Sequence, residues 1–279
     1  LLLSRGANRR ALDAEGKRPE EVAKTKEVAE VIKRATSVPL QIVNPKRDQL
    51  TLFFANGIAN ALKKSVAGEA NVLIMNSLSE CSHFIVDAEE SPPASKEEAE
   101  ELARRYSGSK TKKTGKMSMQ LLEAILRGLF VVSSAWLKEI EVDVEKVPTF
   151  EVTHIEDEEV VYDARCVVAR KNAERMLPPL FCGAQFLLCN KMYGKYTKAD
   201  LASLIQIGGG TILARKPRSS SSLEPTLSPF HARQLSSPYF VVYNPFMLVP
   251  DQVQAMSSLH KVPYNWLLES IICFSVKTP

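Results

Sequence analysis

Short apolar runs separated by helical patterns occur in two successive sets along this chain. The first set predicts strands at 50–54, 72–75, 82–87 and 130–132, with helices at 56–64 and 118–127. The second set predicts strands at 186–188, 211–214 and 239–243, a helix at 198–205, and a segment at 262–272 that ends in a helix. Alternation of this kind predicts an α/β fold of two units, each a small, mostly parallel sheet flanked by helices.

The N-terminal residues have a purely helical pattern. Leu1 to Leu3 end one apolar helix, Gly6 and Gly16 supply turns, and Pro19 suits the first turn of a second helix. The apolar stripe of this second helix consists of Val22, Ala23, Val28, Val31 and Ile32. A helical hairpin is therefore expected before the two α/β units.

A polar stretch interrupts the first unit. Residues 88–116 contain an acidic cluster at 97–101 and a basic cluster at 110–116, which favours a charged insertion outside the core. The acidic run at 156–159 suggests a solvated linker. The predicted boundaries are a helical segment at 1–36, a first unit at 48–142, a linker at 143–178 and a second unit at 179–279.

Composition limits the classes of function. The 279 residues are 45% hydrophobic with a net charge of +4, which is too weak to make nucleic-acid binding the default. The chain contains no apolar run near the roughly 20 residues that span a membrane, so no membrane partner is expected. Five scattered cysteines and four scattered histidines predict neither a disulfide framework nor a metal site.

The glycine run and the two tryptophans are expected to have structural roles. Gly208 to Gly210 lacks the spacing of a nucleotide-binding loop and predicts a tight helix-to-strand turn. Trp136 and Trp266 lie among apolar residues at helical spacing and are expected in the core. The sequence carries none of the common catalytic motifs, so we expect no enzyme activity and no cofactor.

Several motifs resemble known repeat families. The segment LLLSRGANRRALDAEGKRPEEVAK is similar to the end of an ankyrin array. The strings GLFVVSSAW, IGGGTILARKP and PYNWLLESI are similar to hallmarks of BRCT repeats. The order of these motifs resembles the C-terminal half of a family of RING-bearing ubiquitin ligase subunits.

This resemblance implies a function. In the family, a RING domain, which this sequence lacks, pairs with the RING heterodimer partner, while ankyrin and BRCT modules bind nucleosomes and ubiquitin-marked histones in DNA double-strand break repair. The chain would then be a non-catalytic chromatin reader in the nucleus. The alternatives are a phosphopeptide-binding tandem BRCT module, with a phosphoprotein as partner, and a purely structural scaffold.

The resemblance also implies a phosphate pocket. In BRCT repeats that bind phosphopeptides, a hydroxyl, a glycine amide and a lysine hold the phosphate. By position, Asn56 and Gly57 take the first two roles, and Ser118 and Gln120 lie at the helix entry. Neutral Gln120 replaces the lysine, so the strongest charge-assisted contact is lost, although nearby Lys116 is a further candidate.

Two other groups of residues are expected to make contacts. His231 and Arg233 lie in a loop that either faces a partner or braces the fold. Basic clusters at Arg9, Arg10, Lys17 and Arg18, and at 110–116, either contact phosphates or an acidic histone face, or are solvated. The two repeats are expected to pack through Leu121, Leu122 and Ile125 on one side and Trp266, Leu267 and Ile271 on the other.

Overall fold

The computed structural model describes residues 17–34, 50–58, 60–67, 72–106, 108–139, 144–215, 230–232, 235, 237–247 and 259–278. Most of the ankyrin-like segment, Leu1 to Gly16, lies outside these residues. The first helix, α1, spans Lys26–Arg34 rather than beginning at Pro19. Residues 19–21 form a single turn, and the Thr25 hydroxyl accepts a hydrogen bond from the Val28 N–H, which sets the later start.

The first repeat is a four-stranded parallel sheet with helices. Its elements are β1 (Leu50–Phe54), α2 (Asn60–Val66), β2 (Val72–Ile74), β3 (His83–Val86), α4 (Met119–Leu126) and β6 (Phe130–Ser133), with strand order β2-β1-β3-β6. Helix α2 begins later than predicted because Asn56 and Gly57 form a turn in which Gly57 has φ +95°. Ser118 caps α4 by accepting a hydrogen bond from the Leu121 N–H at 3.2 Å.

The second repeat has the same parallel topology. Its elements are β9 (Gln185–Leu188), α6 (Lys198–Ile207), β12 (Thr211–Ile212), β13 (Tyr239–Tyr243), β14 (His260–Pro263) and α7 (Tyr264–Ile272), with strand order β12-β9-β13-β14. The segment at 262–272 ends in a helix, as predicted, and its first residues belong to β14, which pairs with β13. The two repeats confirm the expected α/β fold class. Gly208 to Gly210 form the predicted turn between α6 and β12, with Gly209 at φ +79°.

The charged segment 88–116 contains regular secondary structure. It folds into β4 (Ala88–Ser91), α3 (Lys96–Arg105) and β5 (Lys112–Lys116). The linker supplies β7 (His154–Asp157), β8 (Val160–Asp163) and α5 (Cys166–Glu174), and the four strands form a third sheet in the order β4-β5-β7-β8. The sequence pattern missed β4 and β5 because both are polar and β5 also contains a glycine, without the β-branched alternation typical of a strand.

An aromatic stack recurs in both repeats. In the first, the His83 ring lies 4.7 Å from that of Phe130 and 5.5 Å from that of Trp136. In the second, the Phe240 ring lies 5.3 Å from that of His260 and 5.2 Å from that of Trp266. The tryptophan follows the last-strand ring by six residues in each repeat, while histidine and phenylalanine exchange strands.

Both tryptophans of these stacks are buried and have a structural role. Trp136 and Trp266 are 3% and 7% exposed, which confirms their predicted place in the core. Trp136 lies in a 3-10 helix, Ser134–Glu139, rather than an α-helix. Trp266 covers the sheet of its own repeat through Phe240, so part of its packing is within the repeat.

The two repeats pack through helices. Helix α4 contacts both α6 and α7, and it also contacts α5. Leu121, Leu122 and Ile125 on α4, and Leu267 and Ile271 on α7, are fully buried in one cluster that extends through both repeats. Which of these side chains pair directly stays a prediction.

A buried ion pair fixes α5 against the first repeat. Arg170 Nε lies 2.9 Å from Oε1 of Glu151, a residue with no exposed surface, and the guanidinium lies 4.2 Å from the ring centroid of Phe130. Gly128, after α4, also abuts α5, because a Cβ there would lie 2.5 Å from Cβ of Ala173. The linker is therefore part of the folded core.

Removing Arg170 tests this contact. The substitution Arg170→Leu is expected to lower the free energy of unfolding by about 3–5 kcal/mol, because the Glu151 carboxylate stays buried without its partner. The double variant Arg170→Leu/Glu151→Leu should lose less, as measured by urea denaturation. The control Arg105→Leu breaks the pairs with half-exposed Asp163 and Glu101 and should cost only about 1 kcal/mol. Equal losses in the single and double variants would contradict this explanation.

The His83 stack predicts acid sensitivity. Burial, helped by the charge of Arg170, lowers the pKa of His83 from 6.5 to about 4. Between these values the unfolded chain binds a proton that the folded chain does not, so stability falls as the pH decreases. The loss should reach about 3 kcal/mol below pH 4. The variant His83→Phe should stay folded, since Phe240 holds this place in the second repeat, and should show a weaker decline in chemical denaturation series. An unchanged decline would refute the assignment.

Candidate functional site

The four residues proposed for the phosphate pocket lie around one cleft of about 470 Å³. Asn56 and Gly57 follow the end of β1, and Ser118 and Gln120 lie at the start of α4. The Asn56 N–H donates to Oε1 of Gln120 at 3.3 Å. The carboxyl ends of parallel strands and the beginning of a helix meet here, which is a common position for ligand sites in α/β sheets. We call this cavity the Asn56 cleft.

The charge of the Asn56 cleft does not suit a phosphate. Asp87, Glu89 and Glu156 line it, and Lys116 is the single cation among the described lining residues. Ser134 donates a hydrogen bond to the Asp87 carboxylate at 3.1 Å. A phosphate dianion would therefore meet more negative than positive charge, and like charges disfavour binding.

The acidic residues that line the Asn56 cleft were not predicted from the sequence. Asp87 directly follows β3, the neighbour of β1, so the parallel-strand pattern contains enough information to place it beside Asn56. Glu156 belongs to β7 in the linker and reaches the cleft through the pairing of β5 with β7, where Lys116 lies opposite Glu156. No local pattern signals that pairing.

Two of the four lysines in the basic cluster at 110–116 are paired or buried. Lys113 is 4% exposed, and its ammonium donates to the hydroxyls of Ser109 and Thr111 at 3.0 Å. Burial lowers the pKa of Lys113. Lys112 pairs with Glu98 at 2.6 Å. These two lysines are therefore structural, while Lys110 and Lys116 remain exposed.

The loop residue His231 makes contacts within the chain. Its Nε2 lies 2.9 Å from the carbonyl oxygen of Pro178, and its ring lies edge-on to Phe274 at 5.6 Å. This geometry favours the bracing interpretation, because one ring nitrogen already bonds the end of the linker. Arg233 lies outside the described residues.

The buried thiols are poorly suited to nucleophilic chemistry. Burial raises the pKa of Cys81 to about 11 and that of Cys166 further, so both thiols are protonated at neutral pH. Within the described residues, no group of three histidine, cysteine or acidic side chains is arranged to hold a metal ion. The described helices also include none with the length and apolar character of a membrane span.

Comparisons with known proteins give the chain its relatives. No protein-family model matches it. Over its full length the chain is 25% identical to BRCA1-associated RING domain protein 1 from Caenorhabditis elegans, in an alignment of 291 residues that covers 38% of that protein. It is 29% identical over 114 residues to the Homo sapiens protein of the same name, covering 39% of the chain and 14% of that protein.

A solved structure is also similar. The BRCT5-BRCT6 domains of Brc1 from S. pombe align with a TM-score of 0.41 and 14% identity, covering 80% of this chain and 92% of that one. The chain spans well under half the length of the curated relatives named above. The sequence relatives support the predicted resemblance to RING-bearing subunits, whereas an ankyrin end at 1–36 stays a prediction.

Restoring the missing lysine tests the Asn56 cleft. We expect Gln120→Lys to bind a phosphoserine peptide about tenfold more tightly than the wild type, because a charge-assisted hydrogen bond contributes about 1.5–3 kcal/mol. Fluorescence anisotropy with phosphorylated and unphosphorylated peptides measures this gain. Gln206→Lys, on the exposed side of α6, adds the same charge elsewhere and should change nothing. Low-micromolar binding by the wild type, lost on dephosphorylation, would show that the cleft needs no lysine.

Proposed function

We propose that this chain is a non-catalytic chromatin-reading module of a RING ubiquitin ligase subunit. It binds nucleosomes, prefers ubiquitin-marked histones, and acts in the nucleus during DNA double-strand break repair. The observation that carries the proposal is the similarity of the whole chain to part of BRCA1-associated RING domain protein 1 from Caenorhabditis elegans. The relative's name supports a RING partner for the whole protein, bound outside these residues.

The geometry supports protein binding rather than catalysis. Both repeats and the linker share one core, so their loops are held in fixed relation and can contact one extended surface. Cys81, Cys166 and His83, whose pKa values are strongly shifted, are buried in that core and do not line the Asn56 cleft. Catalytic groups usually combine a shifted pKa with access to a cleft, a combination that these buried side chains do not offer.

Phosphopeptide binding is the weaker candidate function. It would need the Asn56 cleft to hold a dianion beside Asp87, Glu89 and Glu156. The neutral Gln120 supplies no compensating charge, and its side-chain oxygen already accepts the Asn56 N–H. The purely structural alternative predicts no partner at all.

One binding experiment separates the three functions. The whole chain is titrated against unmodified nucleosomes, ubiquitin-conjugated nucleosomes and a phosphoserine peptide at one salt concentration, because electrostatic affinity depends on salt. We expect the ubiquitin-conjugated form to bind about tenfold more tightly than the unmodified form, which corresponds to about 1.4 kcal/mol. Equal affinity would refute reading of the mark. Binding to the peptide alone would establish the phosphopeptide module, and binding to none of the three would establish the scaffold.

A further inference from the structure

A second cleft lies where the linker meets the second repeat. It has a volume of about 370 Å³ and opens between two hairpin turns, with the start of α7 beside them. One turn joins β7 to β8, and the other joins β10 (Met192–Tyr193) to β11 (Tyr196–Thr197). We call it the hairpin cleft.

The first hairpin gives this cleft its negative charge. Asp157, Glu158 and Glu159 line it, and Lys195 is the single cation among the described lining residues. Asp157 pairs with Lys195, whereas Glu158 and Glu159 are exposed and have no ion-pair partner among the described residues. Three carboxylates against one ammonium leave two negative charges uncompensated.

The cleft already accommodates one ammonium group. The Lys195 Nζ atom contacts the Asp157 carboxylate and lies 5.5 Å from the ring centroid of Tyr196. The hydrogen bond to Asp157 raises the pKa of Lys195. A carboxylate and an aromatic face together are the groups that bind organic cations in proteins. The arrangement around Lys195 therefore shows the kind of charge that this cleft holds.

A buried hydroxyl lies beside the same ammonium. Tyr196 is 5% exposed, and Lys195 acts on its hydroxyl as a hydrogen-bond donor, although the two groups do not reach standard hydrogen-bond geometry. A phenolic oxygen has two lone pairs and can accept a further N–H, and a buried hydroxyl without a well-formed hydrogen bond is unfavourable. An ammonium that enters the cleft supplies such a donor.

Further aromatic residues line the hairpin cleft. Tyr162 and Tyr264 also line it, and the Tyr264 hydroxyl lies directly over Gly194 in the second turn. A Cβ on Gly194 would be 2.5 Å from that oxygen, so glycine allows the ring to close against the turn. The tyrosine rings favour an organic cation over a hard metal ion, which prefers oxygen ligands alone.

We propose that the hairpin cleft binds the ammonium group of a lysine in a basic peptide segment of a partner protein. Glu158 and Glu159 supply the opposite charge, the Tyr264 ring supplies an aromatic face, and the Tyr196 oxygen accepts an N–H. The inference deepens the proposed protein-binding role, on which it rests, by naming the chemistry of the partner segment.

The test uses the whole chain and a fluorescein-labelled peptide of alternating lysine and serine. Fluorescence anisotropy at fixed salt is compared with the same peptide after acetylation of every lysine. We expect acetylation, and separately Glu158→Gln/Glu159→Gln, to weaken binding by about tenfold or more, because each removes charge pairing in the cleft. Equal affinity of the acetylated peptide would overturn the proposal.

Two further variants separate the cleft from general electrostatic attraction. Glu80→Gln/Glu100→Gln removes two exposed charges outside the cleft and should leave affinity within about twofold of the wild type. Tyr264→Leu keeps the net charge but removes the ring and should weaken binding about fivefold, while Tyr264→Phe should retain it. Thermal unfolding shows whether each variant is folded. A loss in the Glu80/Glu100 pair as large as in the Glu158/Glu159 pair, or wild-type affinity in folded Tyr264→Leu, would refute the site.

Parallel nucleosome titrations distinguish this inference from the proposed function. If the wild type does not bind nucleosomes but binds the lysine peptide, and the variants change peptide affinity as expected, the cleft is established and the chromatin function is refuted. If nucleosomes bind but the cleft variants bind the peptide like the wild type, the cleft assignment fails and the chromatin function stands.

Discussion

The apolar contact of α4 with α6 and α7 is the interaction on which the rest of this structure depends. Each repeat has a sheet of four short strands, and a sheet of this size buries too little apolar surface on its own to be very stable. Packing α4 against two helices of the second repeat merges both interiors into one cluster. The loops of both repeats are consequently fixed relative to one another, as a shared binding surface requires.

The linker strengthens this arrangement through its own tertiary contacts. Arg170 and Glu151 place a paired charge inside the protein, and Arg170 also covers the aromatic stack of the first repeat through Phe130. Such a pair adds little to net stability but makes the unpaired alternatives costly, so it favours a single position for α5. Besides the pairing of β5 with β7, hydrogen bonds from Arg105 to Asp163 and from the Tyr106 hydroxyl to the Ala164 carbonyl tie the charged insertion to the linker.

The negative charge of the two clefts distinguishes them from a phosphate-binding site. The Asn56 cleft is the predicted place of such a pocket, and Ser118 caps α4 beside it, yet Gln120 carries no charge and the walls carry carboxylates. The hairpin cleft combines carboxylates with tyrosines and contains the Lys195 ammonium. The acidic walls of both clefts support the proposed binding of positively charged partner segments more than the binding of phosphate.

The sequence by itself determined the two α/β units, the place of the tryptophans and the residues around the Asn56 cleft. These features depend on local periodicity, on caps such as Ser118 and on apolar spacing, all of which short windows of sequence contain. Only the tertiary structure decided the third sheet, the burial of Lys113 and the place of Glu156 in the acidic wall of the cleft. Strands β4 and β5 are polar, and β5 lies far from β7 along the chain, so the pairing of β5 with β7 arises from a long-range contact that no local pattern encodes. Strands β7 and β8, by contrast, form a local hairpin. The sequence also did not reveal that the aromatic stack of His83 and Phe130 in the first repeat corresponds to that of Phe240 and His260 in the second. The two stacks become equivalent only when the strands of the two repeats are aligned in space.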